Sequence, residues 1–187
     1  MIGTSDFKRG AKLIIDSDPY NVVEFEHVKP GKGNAFTRTR LKNLISGQLL
    51  ERTFKSGDKF KEPDLDHRDM QYLYPEGNMH YFMDTKDFEQ IALDEDLLKE
   101  ALPYLKENLL VEVLFFNNKA INIEIPNFVE LAVTYCEPGF KGDTAQGASK
   151  PATLEGGLVV SVPLHLKEGD LLKIDTRTGA YVEKINK

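Results

Sequence analysis

Across 187 residues the chain has one cysteine, four histidines and no tryptophan. A single Cys136 cannot close an internal disulfide, and the reading is a reducing cytosol with Cys136 as a small buried hydrophobe rather than a nucleophile. His27, His67, His80 and His165 are scattered without metal-ligand spacing, so no metal and no cofactor are expected. No stretch approaches the roughly 18 consecutive apolar residues of a membrane helix. The first nine residues lack the apolar core of a signal peptide, so a cytoplasmic protein is expected. Gly31-Lys32-Gly33 lacks the flanking residues of a phosphate-binding P-loop. His67-Arg68-Asp69 has the letters of a kinase catalytic tripeptide without a Gly-rich ATP loop or a downstream metal-binding Asp. Carboxylates are plentiful, but no two stand out as an acid–base pair, and no nucleophile–base–orienter set supports a hydrolase.

What is present is an ordinary globular composition, 41% apolar and 29% charged, with net charge −6. The charge is unevenly divided. Residues 1–62 hold 12 Lys/Arg against 8 Asp/Glu, residues 63–125 hold 5 against 14, and residues 126–187 hold 7 against 8. An acidic protein is a poor nonspecific binder of nucleic acid, yet a basic first third can lead the molecule toward a polyanion.

Strand signals dominate. Short β-branched and aromatic runs alternate with turns such as Asp16-Ser17-Asp18-Pro19, Ser56-Gly57-Asp58, Gly77-Asn78 and Asn117-Asn118. Residues 85–92 and 94–105 read as two short helices, and 138–153 as a polar Gly-rich loop. Pro63 and Pro126 mark boundaries of three small β units over 1–62, 63–125 and 126–187, the architecture of small barrels. Units of about 60 residues are marginal alone, so burial between them is expected, above all between the first and second.

One loop stands apart: Lys29-Pro30-Gly31-Lys32-Gly33-Asn34-Ala35-Phe36. Flanking strands of about seven residues would carry it roughly 23 Å. Pro30 stiffens its start, and glycines on both sides of Lys32 admit backbone angles closed to other residues. Lys32 reads either as a solvent-facing turn lysine or as an ammonium presented to a polyanionic space or a modifying enzyme. Lys29, Arg38, Arg40 and Lys42 flank it; because successive strand residues point to opposite faces, about half of them are expected to meet one partner.

These residues resemble the bacterial elongation factor P family. The loop around Lys32, the basic strand that follows it, Pro138-Gly139-Phe140-Lys141-Gly142-Asp143-Thr144, and the closing Asp175-Thr176-Arg177-Thr178-Gly179-Ala180-Tyr181-Val182 all carry the likeness. The most specific match, starting Lys150-Pro151-Ala152-Thr153-Leu154-Glu155-Gly156-Gly157, runs on through Val162-Pro163 to Gly169. The resemblance implies an all-β, L-shaped mimic of tRNA: an SH3-like (KOW-type) domain over 1–62, then two OB barrels over 63–125 and 126–187.

It further implies a non-enzymatic, monomeric factor on the 70S ribosome, between the P and E sites beside peptidyl-tRNA, that relieves stalling at consecutive prolines. Lys32 matches the residue that many bacteria extend covalently, which implies a modifying enzyme; the loop does not choose between lysyl-type and aminopentanol-type groups. Gly142, Asp143 and Thr144 match a loop that approaches the E-site codon, and Tyr181 and Lys184 match positions implicated in tRNA or ribosome contact. Two departures stand out: Asn34 replaces a frequent Gln, and Lys184 replaces an Arg, keeping charge but losing the planar fork. A general single-strand RNA-binding OB protein is the competing reading.

Overall fold

The computed structural model describes residues 1–139 and 147–186. The strands are β1 Ile2–Gly3, β2 Lys12–Ile15, β3 Asp18–Val28, β4 Phe36–Asn43, β5 Leu49–Lys55, β6 Lys59–Phe60, β7 Leu65–Glu76, β8 Met79–Asp84 and β9 Gln90–Asp94. After the one-turn helix α1, Glu95–Leu98, follow β10 Leu110–Phe116, β11 Lys119–Glu124, β12 Phe128–Cys136, β13 Ser149–Leu154, β14 Val159–Pro163, β15 Leu171–Asp175 and β16 Ala180–Lys184. The all-β expectation holds. No helix among the described residues is long and apolar enough to cross a membrane.

The chain divides into two compact units, Met1–His67 with Leu114–Asn122, and Arg68–Val113 with Ile123–Lys187. In the first, β2-β3-β4-β5 form an antiparallel sheet and β1 pairs with β6. β4 alternates strictly: Thr37, Thr39, Leu41 and Asn43 are buried while Arg38, Arg40 and Lys42 are exposed. Leu41, Leu13 and Val22 are fully buried beside the rings of Phe7, Phe54 and Phe60, with Phe54 and Phe60 edge to face at 4.7 Å. Each such side chain contributes about 1.5–3 kcal/mol by leaving water.

The two five-stranded sheets share one topology. Their orders are β11-β10-β7-β8-β9 and β14-β13-β12-β15-β16. Counting strands within each, the first reads 5-4-1-2-3 and the second 3-2-1-4-5, the same order seen from opposite ends. In the last sheet β14 also meets β16, bringing its edges together. Sequence repetition between these segments is faint, because alternation and turns suffice to specify the shared order.

The hairpin turns are local chemistry. Asp16-Ser17 and Asn117-Asn118 hold positive φ at both positions, the geometry that matches the twist of flanking strands. Within the second unit, burial joins the middle segment to the last one: Tyr104 lies in the core with Leu131, Leu154 and Ile174, and the Lys106 ammonium donates to the Glu130 carbonyl at 2.6 Å.

Three local expectations are corrected. Residues 85–92 form no helix: the Asp84 carboxylate accepts from the backbone N–H groups of Lys86 and Asp87, Phe88 takes φ 62°, and β9 follows. Thr85, expected as a cap, donates instead to the Asp69 carbonyl. In 94–105 only α1 is α-helical, capped by Asp94 accepting from Asp96 N–H, and a single 3-10 turn contains Pro103. Residues 149–153, expected in a loop, belong to β13, where the Lys150 ammonium is buried and donates to the Glu137 carbonyl at 2.6 Å.

Candidate functional site

The hairpin of β3 and β4 is the longest arm of the first unit, with strands of 11 and 8 residues paired from Tyr20↔Asn43 out to Val28↔Phe36. Residues 29–35 close it, and the Ser56 N–H donates to the Ala35 carbonyl at 3.0 Å, tying the loop base to the sheet. His27 Nδ1 and Thr37 Oγ1 are hydrogen-bonded at 2.9 Å across the last strand pairs. The arm is therefore held to within one residue of the loop.

At the tip, Lys29, Pro30, Gly31, Lys32, Gly33 and Asn34 are all exposed. Among the described residues, no hydrogen bond or ion pair engages the Lys32 side chain. The two glycines act differently. Gly33 has φ 104°, closed to side-chain-bearing residues, and its open side faces the Pro30 ring at 3.9 Å. Gly31 needs no such angle, which corrects the expectation that both supply special backbone geometry. A Cβ at Gly31 would meet nothing within 4 Å, so its absence only clears space beside Lys32.

Below the tip, Arg38, Arg40 and Lys42 share one exposed face of β4. Their numbers have the same parity, so the expectation that only half of the basic residues face one way is corrected for these three. The Arg38 guanidinium lies 5.5 Å from the Phe36 ring centroid, a stacking contact that holds it outward. Carboxylates interrupt the stripe: Glu26 stands opposite Arg38, and Glu24 and Glu51 flank Arg40 from both neighbouring strands. An open trough runs over these rows, lined also by Thr39 and Thr53. This face joins arginines to acidic neighbours, a detail that strand-by-strand reading misses because it depends on cross-strand register.

Tyr181 and Lys184 both sit on β16, in the second unit. Tyr181 is half-buried against the core of the last sheet. Lys184 pairs with the nearly buried Asp170 carboxylate at 3.1 Å. The Lys167 backbone N–H, donating to Asp170 at 3.0 Å, and then Lys184 hold that carboxyl below its ordinary pKa, against the opposing effect of burial. Gly142, Asp143 and Thr144 lie outside the described residues. Cys136 is buried, its thiol reaching the Leu166 carbonyl at 3.7 Å. Among the described residues no group of three or more His, Cys, Asp or Glu side chains could hold a metal ion.

Fold and tip define a chain of small β units, one of which presents a cation at the end of a hairpin. Models of the elongation factor P KOW-like domain, OB domain and C-terminal region match residues 3–60, 65–123 and 121–184. The chain is 52% identical over 186 residues to elongation factor P of Bdellovibrio bacteriovorus, covering 100% of this chain and 99% of that one. It is 52% identical over 185 residues to that of Natranaerobius thermophilus, covering 99% and 98%. A solved structure of eukaryotic translation initiation factor 5A from Methanococcus jannaschii superposes with TM-score 0.53 at 25% identity, covering 67% of this chain and 90% of that one. An initiation factor family protein from Naegleria fowleri shares the fold at TM-score 0.54 and 16% identity, covering 66% of this chain and 96% of that one. The chain belongs to the elongation factor P family and is a translation elongation factor.

Proposed function

We propose that the chain binds the 70S ribosome between the P and E sites, beside peptidyl-tRNA, with Lys32 directed toward the CCA end. There it stimulates the ribosome's own peptide-bond formation and relieves stalling at consecutive prolines. Proline lacks an amide N–H and has a locked φ, so prolyl substrates align poorly. Holding the reacting ends in register lowers the barrier by removing the entropy of alignment. The tip supplies position and positive charge and makes or breaks no bond, so the chain acts as an accessory factor in the cytoplasm.

The observation that carries this reading is the exposed, unengaged Lys32 side chain at the end of a hydrogen-bonded arm. That exposure also suits recognition by a lysine-modifying enzyme. Lys29, Arg38, Arg40 and Lys42 would steady tRNA phosphate, and Tyr181 and Lys184 would contact tRNA or ribosome, Lys184 from within its pair with Asp170. The 142–144 segment would approach the E-site codon.

A reporter containing consecutive prolines tests the proposal. Lys32→Ala is expected to abolish rescue of stalling while leaving thermal stability within about 0.5 kcal/mol, as for exposed surface sites. Intact rescue by that variant would overturn the reading in favour of general RNA binding.

A further inference from the structure

The middle barrel carries an outward sheet face that the Lys32 reading leaves unused. Along β8, His80 and Phe82 are buried, while Met79, Tyr81 and Met83 point outward and are half-buried. Cross-strand register arranges that face in rows. Glu76, Met79 and Asp94 form one row, and Tyr74, Tyr81 and Ala92 the next. In the third, Met83 lies between two glutamines. A bulge between Tyr72 and Tyr74 resets the phase of β7 and turns the Tyr74 ring outward, 46% exposed.

The Tyr74 and Tyr81 rings stack with centroids 4.8 Å apart and planes 20° from parallel. The Glu76 carboxylate accepts from the Tyr81 hydroxyl and raises its pKa above the ordinary phenol value. Neither Lys nor Arg stands in any of the three rows.

This chemistry selects a partner. A phosphate chain crossing the face would meet Glu76 and Asp94 with no cation to neutralise it. A guanidinium suits it well: its plane can lie on a tyrosine ring while its fork takes a carboxylate with paired hydrogen bonds. The methionines adapt to the intervening side chains. Strands two and three of an OB barrel are a surface on which other proteins of this fold take oligonucleotides and oligosaccharides, so an RNA strand is the competing occupant that the test includes. We propose that the β7–β8–β9 face docks an extended, arginine-bearing segment of a partner protein, through Tyr74, Tyr81, Glu76 and Asp94.

The test titrates the full chain, labelled at backbone nitrogen and methionine methyls, with a blocked peptide alternating arginine and glycine. A lysine-for-arginine peptide and octauridylate are run in parallel. The arginine peptide is expected to shift the Met79 and Met83 methyls and the Tyr81 amide, and to bind more tightly than the lysine peptide. Tyr81→Ala and Glu76→Gln should each weaken it about threefold to tenfold, and Glu76→Gln changes an exposed side chain without altering its shape. Lys32→Ala should bind the peptide normally, which separates this proposal from the ribosomal reading. It is overturned if octauridylate moves the same methyls more strongly, if the peptide's shifts map elsewhere, or if Glu76→Gln leaves affinity unchanged.

Discussion

Gly156 lies so close to Pro103 that a Cβ built at position 156 would stand 2.6 Å from the Pro103 carbonyl oxygen. The same glycine has φ 86°, a region that side-chain-bearing residues rarely adopt. Two segments distant in the chain therefore meet backbone to backbone, at the residue that precedes the buried Tyr104.

Gly156→Ala should consequently be costly. The left-handed angle contributes about 1–2 kcal/mol and the overpacking about 1–3 kcal/mol more. Amide exchange in β12 through β16 should accelerate while exchange in β2 through β5 is unchanged. Uniform acceleration along the chain, or none, would contradict the assignment of this contact to the second unit.

Asp170 gives a pH dependence with a definite sign. Its carboxyl is held below the ordinary value in the folded chain, first by the Lys167 N–H and then by Lys184. Its stabilising contribution is therefore fully present above the unfolded-state pKa and disappears as pH falls through the lower folded-state value. Asp170→Asn should lower the urea midpoint at pH 7. The gap to the unmodified chain should begin to close below about pH 4 and vanish at more acid pH. A gap independent of pH would show that the carboxylate charge is not its source.

The carboxylates beside Arg40 set up a contrast on the β4 face. Arg40→Ala should weaken ribosome binding and reduce the dependence of log affinity on log salt by about one phosphate contact. Glu24→Gln or Glu51→Gln should strengthen binding, because each removes a negative charge beside the same guanidinium. Filter binding across a salt series distinguishes these outcomes. Weaker binding by either glutamate variant would mean that the acids themselves make contacts.

The features legible in the sequence were those that depend on neighbours in the chain. The hairpin that carries the Lys32 loop, the Asn117-Asn118 turn and the alternation of β4 are all local patterns, and the structure has that hairpin, turn and alternation where they were expected, with Gly31 the exception in its backbone angle. Features that depend on partners across strands were hidden. Nothing near Arg40 in sequence reveals Glu24 or Glu51, and the Tyr74–Tyr81 stack needs both a register and a bulge. The expected helix after Thr85 failed for a related reason: the Asp84 side chain captured the backbone amides that a helix would have used. In the Gly-rich stretch, composition concealed β13, whose residues are fixed by pairing with β12 and β14.

The hairpin that ends at Lys32 is also a lever. Eight residues of paired strand extend about 25 Å, so a 5° tilt of the barrel about its own centre sweeps the tip through about 2 Å. Aim at the end of such an arm is governed by the grip at its shoulder: a side chain far from Lys32 that loosens the barrel's seating would blur the lysine's position as surely as a change in the loop itself.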